Sequence, residues 1–334
     1  MNCKVTVLVA VYNMAHFLPK CLDSLIGQTV RDIQIVCVDD GSSDESLQLL
    51  SAYQEKDNRI EVIHLNRNRG LAYARNLGLQ RAKGQYVCML DADDWYAPDA
   101  FEQCVNVFEN NPSTDCVLFK CMLVYQQEDG LRYELQPSKD FVVLSGQEAC
   151  MLSLDWQIHG IYMVRTEIHK RYPYDDSARL YSDENTTRLH YAVSREVRQC
   201  QGTYFYLQHS GSNTHKLTSV RQFDRLIAKE SLLRELVPLM PAKEMEIKQT
   251  ITLQLWLILV DCYMIYHCYH RTFSPADLRH AKSELHRVWS AVDRRLLTSP
   301  KVRKFGYRPM PSWPLFRLQE WLYFTLRGFL HKNI

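Results

Sequence analysis

The segment GQYVCMLDADDWYAPDA closes an apolar run with three aspartates in four positions, Asp91, Asp93 and Asp94. At that density the like charges repel unless a cation or hydrogen-bond donors offset them. Asp91 and Asp93 flank a single residue, Ala92, so a turn of the backbone after Leu90 brings both carboxylates toward one ion. Hard oxygen ligands whose coordination is completed by substrate phosphates suit Mg²⁺ or Mn²⁺, and the pair reads as a divalent-metal site. Asp94 and Asp99 read instead as capping charges for the helix that follows Pro98. Two carboxylates with this spacing occur by chance in many chains, so the weight falls on the elements that carry them.

Those elements alternate between strand and helix. Val5 to Val11 is a β-branched, apolar run of the kind buried on both faces of a parallel sheet, and Phe17, Leu18, Cys21, Leu22, Leu25 and Ile26 follow at helical spacing. Ile33 to Val38 is a second strand ending in Asp39 and Asp40, and GSSDES opens a helix in which Ser42 and Glu45 have capping-box spacing. A third strand (Ile60 to His64), a helix rich in Ala and Leu (Leu71 to Ala82) and a fourth strand (Gln85 to Leu90) repeat the pattern, which predicts an α/β fold with a mainly parallel sheet. Ligands of such sheets bind beyond the carboxyl ends of the strands, where Asn13, Asp39, Asp40, Asp91 and Asp93 stand. After Tyr125 the run QQEDGLRYELQPSKD reads as a hairpin or loop excursion. From Val220 the pattern is helical, broken at Pro238, Pro241, Pro275, Pro300 and from Pro309 to Pro314. The expected division is a catalytic domain over 1–218 and a helical region over 219–334.

With 46% hydrophobic and 23% charged residues among 334, the chain has the balance of a folded protein with a full core. Lys and Arg number 40 against 38 acids, a net charge of +2 that excludes a surface built throughout for nucleic acid. The 11 cysteines are scattered through apolar runs without a CxxC pair and read as buried thiols. The start, MNCKVTVLVAVYN, turns polar by Asn13 and reads as a strand rather than a signal peptide. The most apolar later stretch, LQLWLILVDCYMIYHCY, carries Asp261 at its centre and falls short of the ~20 apolar residues of a bilayer crossing, so it reads as a buried helix. The expected setting is cytoplasmic and reducing.

Four segments then fall into register: VAVYN after the first strand, VDDGSSDES after the second, NRGLAYARNLG before the fourth and MLDADD after it. In order and spacing they resemble the signatures of family 2 glycosyltransferases, strongly over about residues 4 to 100 and more weakly to about 215. The resemblance implies a GT-A fold that binds a nucleotide-sugar through a divalent metal and transfers a hexose-type sugar with inversion. It implies base and ribose contacts from Val9, Ala10, Tyr12 and Asn13. It implies a pyrimidine-reading role for Asp40, with Asp39 beside it, since a carboxylate accepts the N3 hydrogen of uracil. That favours a uridine donor. Arg75 resembles the family arginine near the diphosphate, with Asn76 ordering the same helix face and Gly70 and Gly78 permitting close backbone approach.

The family supplies its general base from an acidic pair far downstream, which RLYSDENTTRLHYA matches. Ser182 stands where the commoner pattern has Glu, so Asp183 or Glu184 is the base, and Asp183 is the expected one. A purely structural pair at a helix N-terminus is the competing account. YFYLQHSGSNTH resembles the segment that closes over the diphosphate; His209 takes the place of a basic residue there, with His215 as a second candidate for metal or phosphate. Trp156 and His159 lie where relatives contact the acceptor sugar, although a core tryptophan fits the sequence equally well.

Lys301 to Ile334 carries seven basic residues against Glu320 alone, a charge of +6, together with Trp313, Phe316, Trp321, Phe324 and Phe329. Basic and aromatic residues on one helix suit an anionic membrane surface, and a lipid-linked acceptor would account for that. Docking on the catalytic domain or on a second subunit accounts for the same residues. The function implied is metal-dependent sugar transfer to a glycan or lipid-linked acceptor in surface polysaccharide synthesis. A catalytically silent nucleotide-sugar-binding module is the alternative. A sugar nucleotidyltransferase lacks its phosphate-binding loop after the first strand, and a dehydrogenase lacks GxGxxG, since YNMAHF stands there.

Overall fold

Val5–Val11 forms the central strand β1 because its apolar side chains are covered on both faces, and the strands on either side of it are as apolar as it is. The computed structural model describes residues 3–127, 130–136, 138–176, 182–209 and 220–330. These residues separate into two compact units, one within 3–209 and one within 220–330.

The first unit contains β1, β2 (Ile33–Asp39), β3 (Ile60–His64), β4 (Tyr86–Asp91), β5 (Trp95–Tyr96), β6 (Thr114–Gln127), β7 (Gly130–Leu135), β8 (Val143–Ser145), β9 (Tyr162–Arg165) and β10 (Glu196–Gln208). They make one ten-stranded sheet in the order β3-β2-β1-β4-β9-β6-β10-β5, with β7 paired to β6 and β8 to β10. The half β3-β2-β1-β4 is parallel as expected; beyond it β9 runs antiparallel to β4 and β6, while β6 and β10 are parallel to each other. The sheet is thus mixed, with β1, β2, β3, β4, β6 and β10 sharing one direction. The hairpin expected after Tyr125 is present as β6 and β7.

The helices of this unit are α1 (Leu18–Ile26), α2 (Ser46–Lys56), α3 (Leu71–Arg81), α4 (Ala100–Asn110), α5 (Gly146–Leu154), α6 (Thr166–Arg171) and α7 (Ser182–Val193). Leu18, Cys21, Leu22 and Leu25 bury one face of α1 in the core built by β1, β2 and α4. Gly78 brings α3 against the sheet: a Cβ there would stand 3.3 Å from Val38 and 3.4 Å from Leu8. The capping box at Ser42 and Glu45 does not form. Helix α2 begins at Ser46 behind Glu45, whose side chain makes no cap, and the Ser42 hydroxyl accepts the Asn13 amide instead. All 11 cysteines are free thiols, most of them buried.

The second unit contains α8 (Asp224–Leu239), α9 (Glu244–Tyr269), α10 (Pro275–Ala291) and α11 (Trp313–Phe329). Pro238 lies inside the last turn of α8 rather than before it; near a C-terminus a proline forfeits a single backbone bond, and the helix ends one residue later. Helix α9 holds the apolar stretch noted above. By length and composition it is able to cross a membrane, but Trp256, Leu259, Val260 and Cys262 are wholly enclosed in the core of this unit. Phe316 and Phe324 anchor α11 in the same core.

Candidate active site

Three loops at the carboxyl ends of β1, β2 and β3 are stitched together before any ligand is considered. Asn13, in left-handed conformation at φ 55°, donates its amide to the Ser42 hydroxyl (2.9 Å) and accepts the Ser43 amide on Oδ1 (2.8 Å). The Ala15 amide donates to Asp44 and the Met14 amide to Ser46. Tyr12 is left 45% exposed at the rim, Ala10 is half-buried, and the Val9 side chain runs into the core, so Val9 offers a ligand only its main chain.

Asp40 is buried, and its two oxygens accept the main-chain amides of Arg69 (2.7 Å) and Gly70 (2.8 Å). Burial raises its pKa, and those two amides work in the opposite direction. Gly70 reaches Asp40 at φ 97°, a conformation that disfavours a side chain. The neighbouring Asp39 is fully buried, with Oδ2 2.8 Å from His64 Nδ1. Asp40 therefore fixes the loop ahead of α3, a task its expected base-reading role did not include.

At the end of β4 the carboxylates divide. Asp91 Oδ1 accepts from Arg75 Nη2 at 2.6 Å, and Arg75 Nη1 lies 3.5 Å from Asp183 Oδ2. Arg75 is 2% exposed, whereas the Asp91 and Asp183 side chains keep 38% and 39% of their surface open. Burial opposes the guanidinium charge, but the facing carboxylates more than compensate and raise its pKa. Burial, followed by the repulsion of Asp93 and Asp183, raises Asp91 against the pull of Arg75. Arg75 is thus no surface ion pair. Its buried charge ties one of the aspartates expected to hold a metal to the expected base of another segment, 92 residues on.

Asp93 turns elsewhere, to His209 Nε2 at 3.0 Å, and the His209 ring rests on Phe17 with centroids 4.7 Å apart. His209, expected as a metal or phosphate contact, thus stands beside Asp93; His215 lies outside the described residues. Asp94 departs from the sequence reading. It is buried and caps no helix: its carboxylate accepts from the Tyr204 hydroxyl and from the Leu207 amide (2.8 Å), fastening the β4–β5 turn to β10. Burial and the charges of Asp91 and Asp93 push its pKa well up. Asp99 does precede α4, without a side-chain cap.

Helix α7 begins before Asn185 and includes the acidic pair in its first turn. Asp183 Oδ1 accepts the Glu184 amide (2.9 Å), leaving Oδ2 toward Arg75, while Glu184 faces Arg188 on the same helix. Asn76, expected to order the helix face that carries Arg75, orders a neighbouring segment as well. Its amide group makes reciprocal bonds of 2.8 and 2.9 Å with the main chain of Tyr174, holding the strand of chain that leads to α7. Tyr174, Tyr204 and Phe17 are site-supporting residues that the sequence reading missed; no spacing links them to their partners. Trp156 is 56% exposed over Arg188, not a core residue. His159 is buried, and burial lowers its pKa to about 4, which removes it from any acceptor surface.

A mainly parallel sheet whose strand tips gather acidic residues, a buried arginine and a histidine is the architecture of a GT-A-type fold. Residues 6–163 match the model of glycosyl transferase family 2, and this part of the chain is a family 2 glycosyltransferase domain. Glycosyltransferase GlyG of Streptococcus pneumoniae is 27% identical over 218 residues, 62% of this chain and 72% of GlyG. EpsH of Bacillus subtilis is 44% identical over 99 residues, which span 30% of this chain and 28% of EpsH. Among solved structures, residues 1–349 of S. aureus TarS in complex with UDP-GlcNAc share the fold, with a TM-score of 0.71, 17% identity and coverage of 98% of this chain and 92% of that one. The mannosyltransferase PcManGT of Pyrobaculum calidifontis, in complex with GDP-Man and Mn²⁺, matches at a TM-score of 0.53 and 15% identity, over 98% and 88%.

Proposed function

We propose that the site moves a sugar from a nucleotide-sugar, a UDP-sugar, to a hydroxyl of a glycan or lipid-linked acceptor with inversion, in the synthesis of a surface polysaccharide. The observation that carries this reading is the position of Arg75 between Asp91 and Asp183, which joins a diphosphate-side carboxylate and a proton acceptor on one wall with open surface on both. TarS, bound to UDP-GlcNAc, and GlyG, a glycosyltransferase, support the donor class and the reaction type.

Tyr12 and Asn13 form the rim for base and ribose, with Asp39 and Asp40 behind them; each Asp40 oxygen keeps a second lone pair for the N3 hydrogen of uracil. Among the described residues no three ligating side chains gather. Asp93 and His209, in mutual contact at 3.0 Å and each with a small part of its side chain open, nevertheless fit an ion that takes its remaining ligands from phosphate and water, as Mg²⁺ and Mn²⁺ do. Such an ion, as in the Mn²⁺ complex of PcManGT, supplies neutralising charge for the departing diphosphate. Asp183 removes the proton of the acceptor hydroxyl as its oxygen attacks the anomeric carbon from the side opposite the diphosphate, and the bonding pair leaves with the nucleotide. Arg75, 3.5 Å from Asp183 Oδ2, orients that carboxylate for the proton. We assign catalysis to residues 1–218 and place it in the cytoplasm, where free thiols persist.

A panel of UDP-sugars with Mn²⁺ tests the reading. Asp183→Asn is expected to lower turnover about a hundredfold or more while UDP binding by calorimetry is retained. If parent and variant turn over alike, Asp183 is not the base; if UDP binds and no donor is consumed, the transferase reading gives way to a binding module.

A further inference from the structure

Helix α11 presents two faces of different character. Phe316, Gln319, Glu320 and Phe324 bury one of them in the helical unit. The other carries Leu315, Leu318, Trp321, Leu322, Leu326 and Phe329, each 41–79% exposed, and among them stands no charged side chain. At 100° per residue these positions fill roughly half the helix circumference, so this is a continuous apolar stripe and not a scatter of single exposed residues. Such a stripe is costly in water and implies an occupant.

The charges around the stripe choose the occupant. Lys301, Arg303, Lys304 and Arg308, in the segment leading into α11, and Arg317 on its first turns are all exposed, and Phe305 stands 52% exposed among them. None of these five cations has a carboxylate partner among the described residues. The one acid of the region, Glu320, is fully buried, and burial raises its pKa to about 8. A symmetric contact between two copies would bring such unpaired cations toward their own counterparts, at an electrostatic cost. A surface of anionic headgroups over hydrocarbon matches both features, because the leucines enter the acyl boundary while arginine, lysine and tryptophan sit at headgroup depth. Helix α9, although apolar enough to be weighed for the same purpose, has Trp256, Leu259, Val260 and Cys262 enclosed in the core of its own unit.

We infer that α11 and the basic segment before it form an interfacial anchor that lies on an anionic lipid surface. The inference is independent of the transfer reaction, and its test needs neither donor nor metal. The full chain is sedimented with vesicles of phosphatidylcholine alone and of phosphatidylcholine with phosphatidylglycerol. Binding to the anionic vesicles is expected to be at least about tenfold stronger and to weaken with added salt. R303Q/K304Q/R308Q is expected to lose that preference. L318Q/L322Q/L326Q is expected to lose binding to both vesicle types, with an unchanged far-ultraviolet circular dichroism spectrum and melting curve. The inference is overturned if the parent ignores both vesicle types, if it binds them equally, or if light scattering finds an oligomer that the leucine variant disperses while no vesicle is bound.

Discussion

Replacing Arg75 by methionine keeps the volume of the side chain and removes its charge. At 2% exposure the guanidinium has no water to take over its role, and Asp91 and Asp183 would then face each other and Asp93 with nothing between them. Breaking a fully buried ion pair costs about 3–5 kcal/mol, and the partial exposure of both carboxylates reduces that to about 2–3 kcal/mol through solvent screening. For a unit of this size that corresponds to a melting temperature lower by roughly 5–10 °C in differential scanning fluorimetry. The loss of activity is expected to exceed what destabilisation explains, because a base displaced by about an ångström loses about a hundredfold in rate. Measured well below the melting transition, kcat/KM for donor consumption should fall by at least that factor. The double variant R75M/D91N separates the two effects. It removes charge from both sides of the contact, so most of the melting temperature should return while turnover stays low. An R75M protein that melts within about 1 °C of the parent and turns over within about threefold would refute the bridging role.

Two further outcomes follow from buried carboxyl groups. Asp94→Ala leaves the Tyr204 hydroxyl and the Leu207 amide without their acceptor and is expected to cost about 2–4 kcal/mol in urea unfolding, with Asp94→Asn milder because it keeps one acceptor oxygen. Glu320 holds its proton up to about 8 in the fold against an ordinary 4.5, so the folded chain binds a proton that the unfolded chain releases and stability declines as pH rises between those values. Glu320→Gln should therefore match the parent near pH 4 and exceed it at pH 8 by on the order of 2–4 kcal/mol in urea unfolding; equal stabilities at pH 8 would show that Glu320 is not held protonated.

The alternation of apolar runs and helical spacing up to Leu90 was legible because burial on both faces of a parallel strand leaves a continuous signal in the chain. For the same reason the acidic tips of β2 and β4 could be placed at the ligand end without coordinates. Past β4 the sheet mixes directions, and strands such as β8 and β9, of three and four residues, are too short to show a period. What each acidic residue does was decided in three dimensions. Asp91, Asp93 and Asp94 are chemically alike and adjacent in the chain, yet one faces Arg75, one His209 and one Tyr204, on α3, after β10 and on β10 respectively. Strand register and helix crossings bring those partners in from 16 to 116 residues away, and local spacing carries no record of them. The chain itself determined which groups stand at the mouth of the sheet; packing determined which of them are neutralised, which hold loops and which remain open to a substrate, because a carboxylate takes its character from the charges and donors within a few ångströms of it.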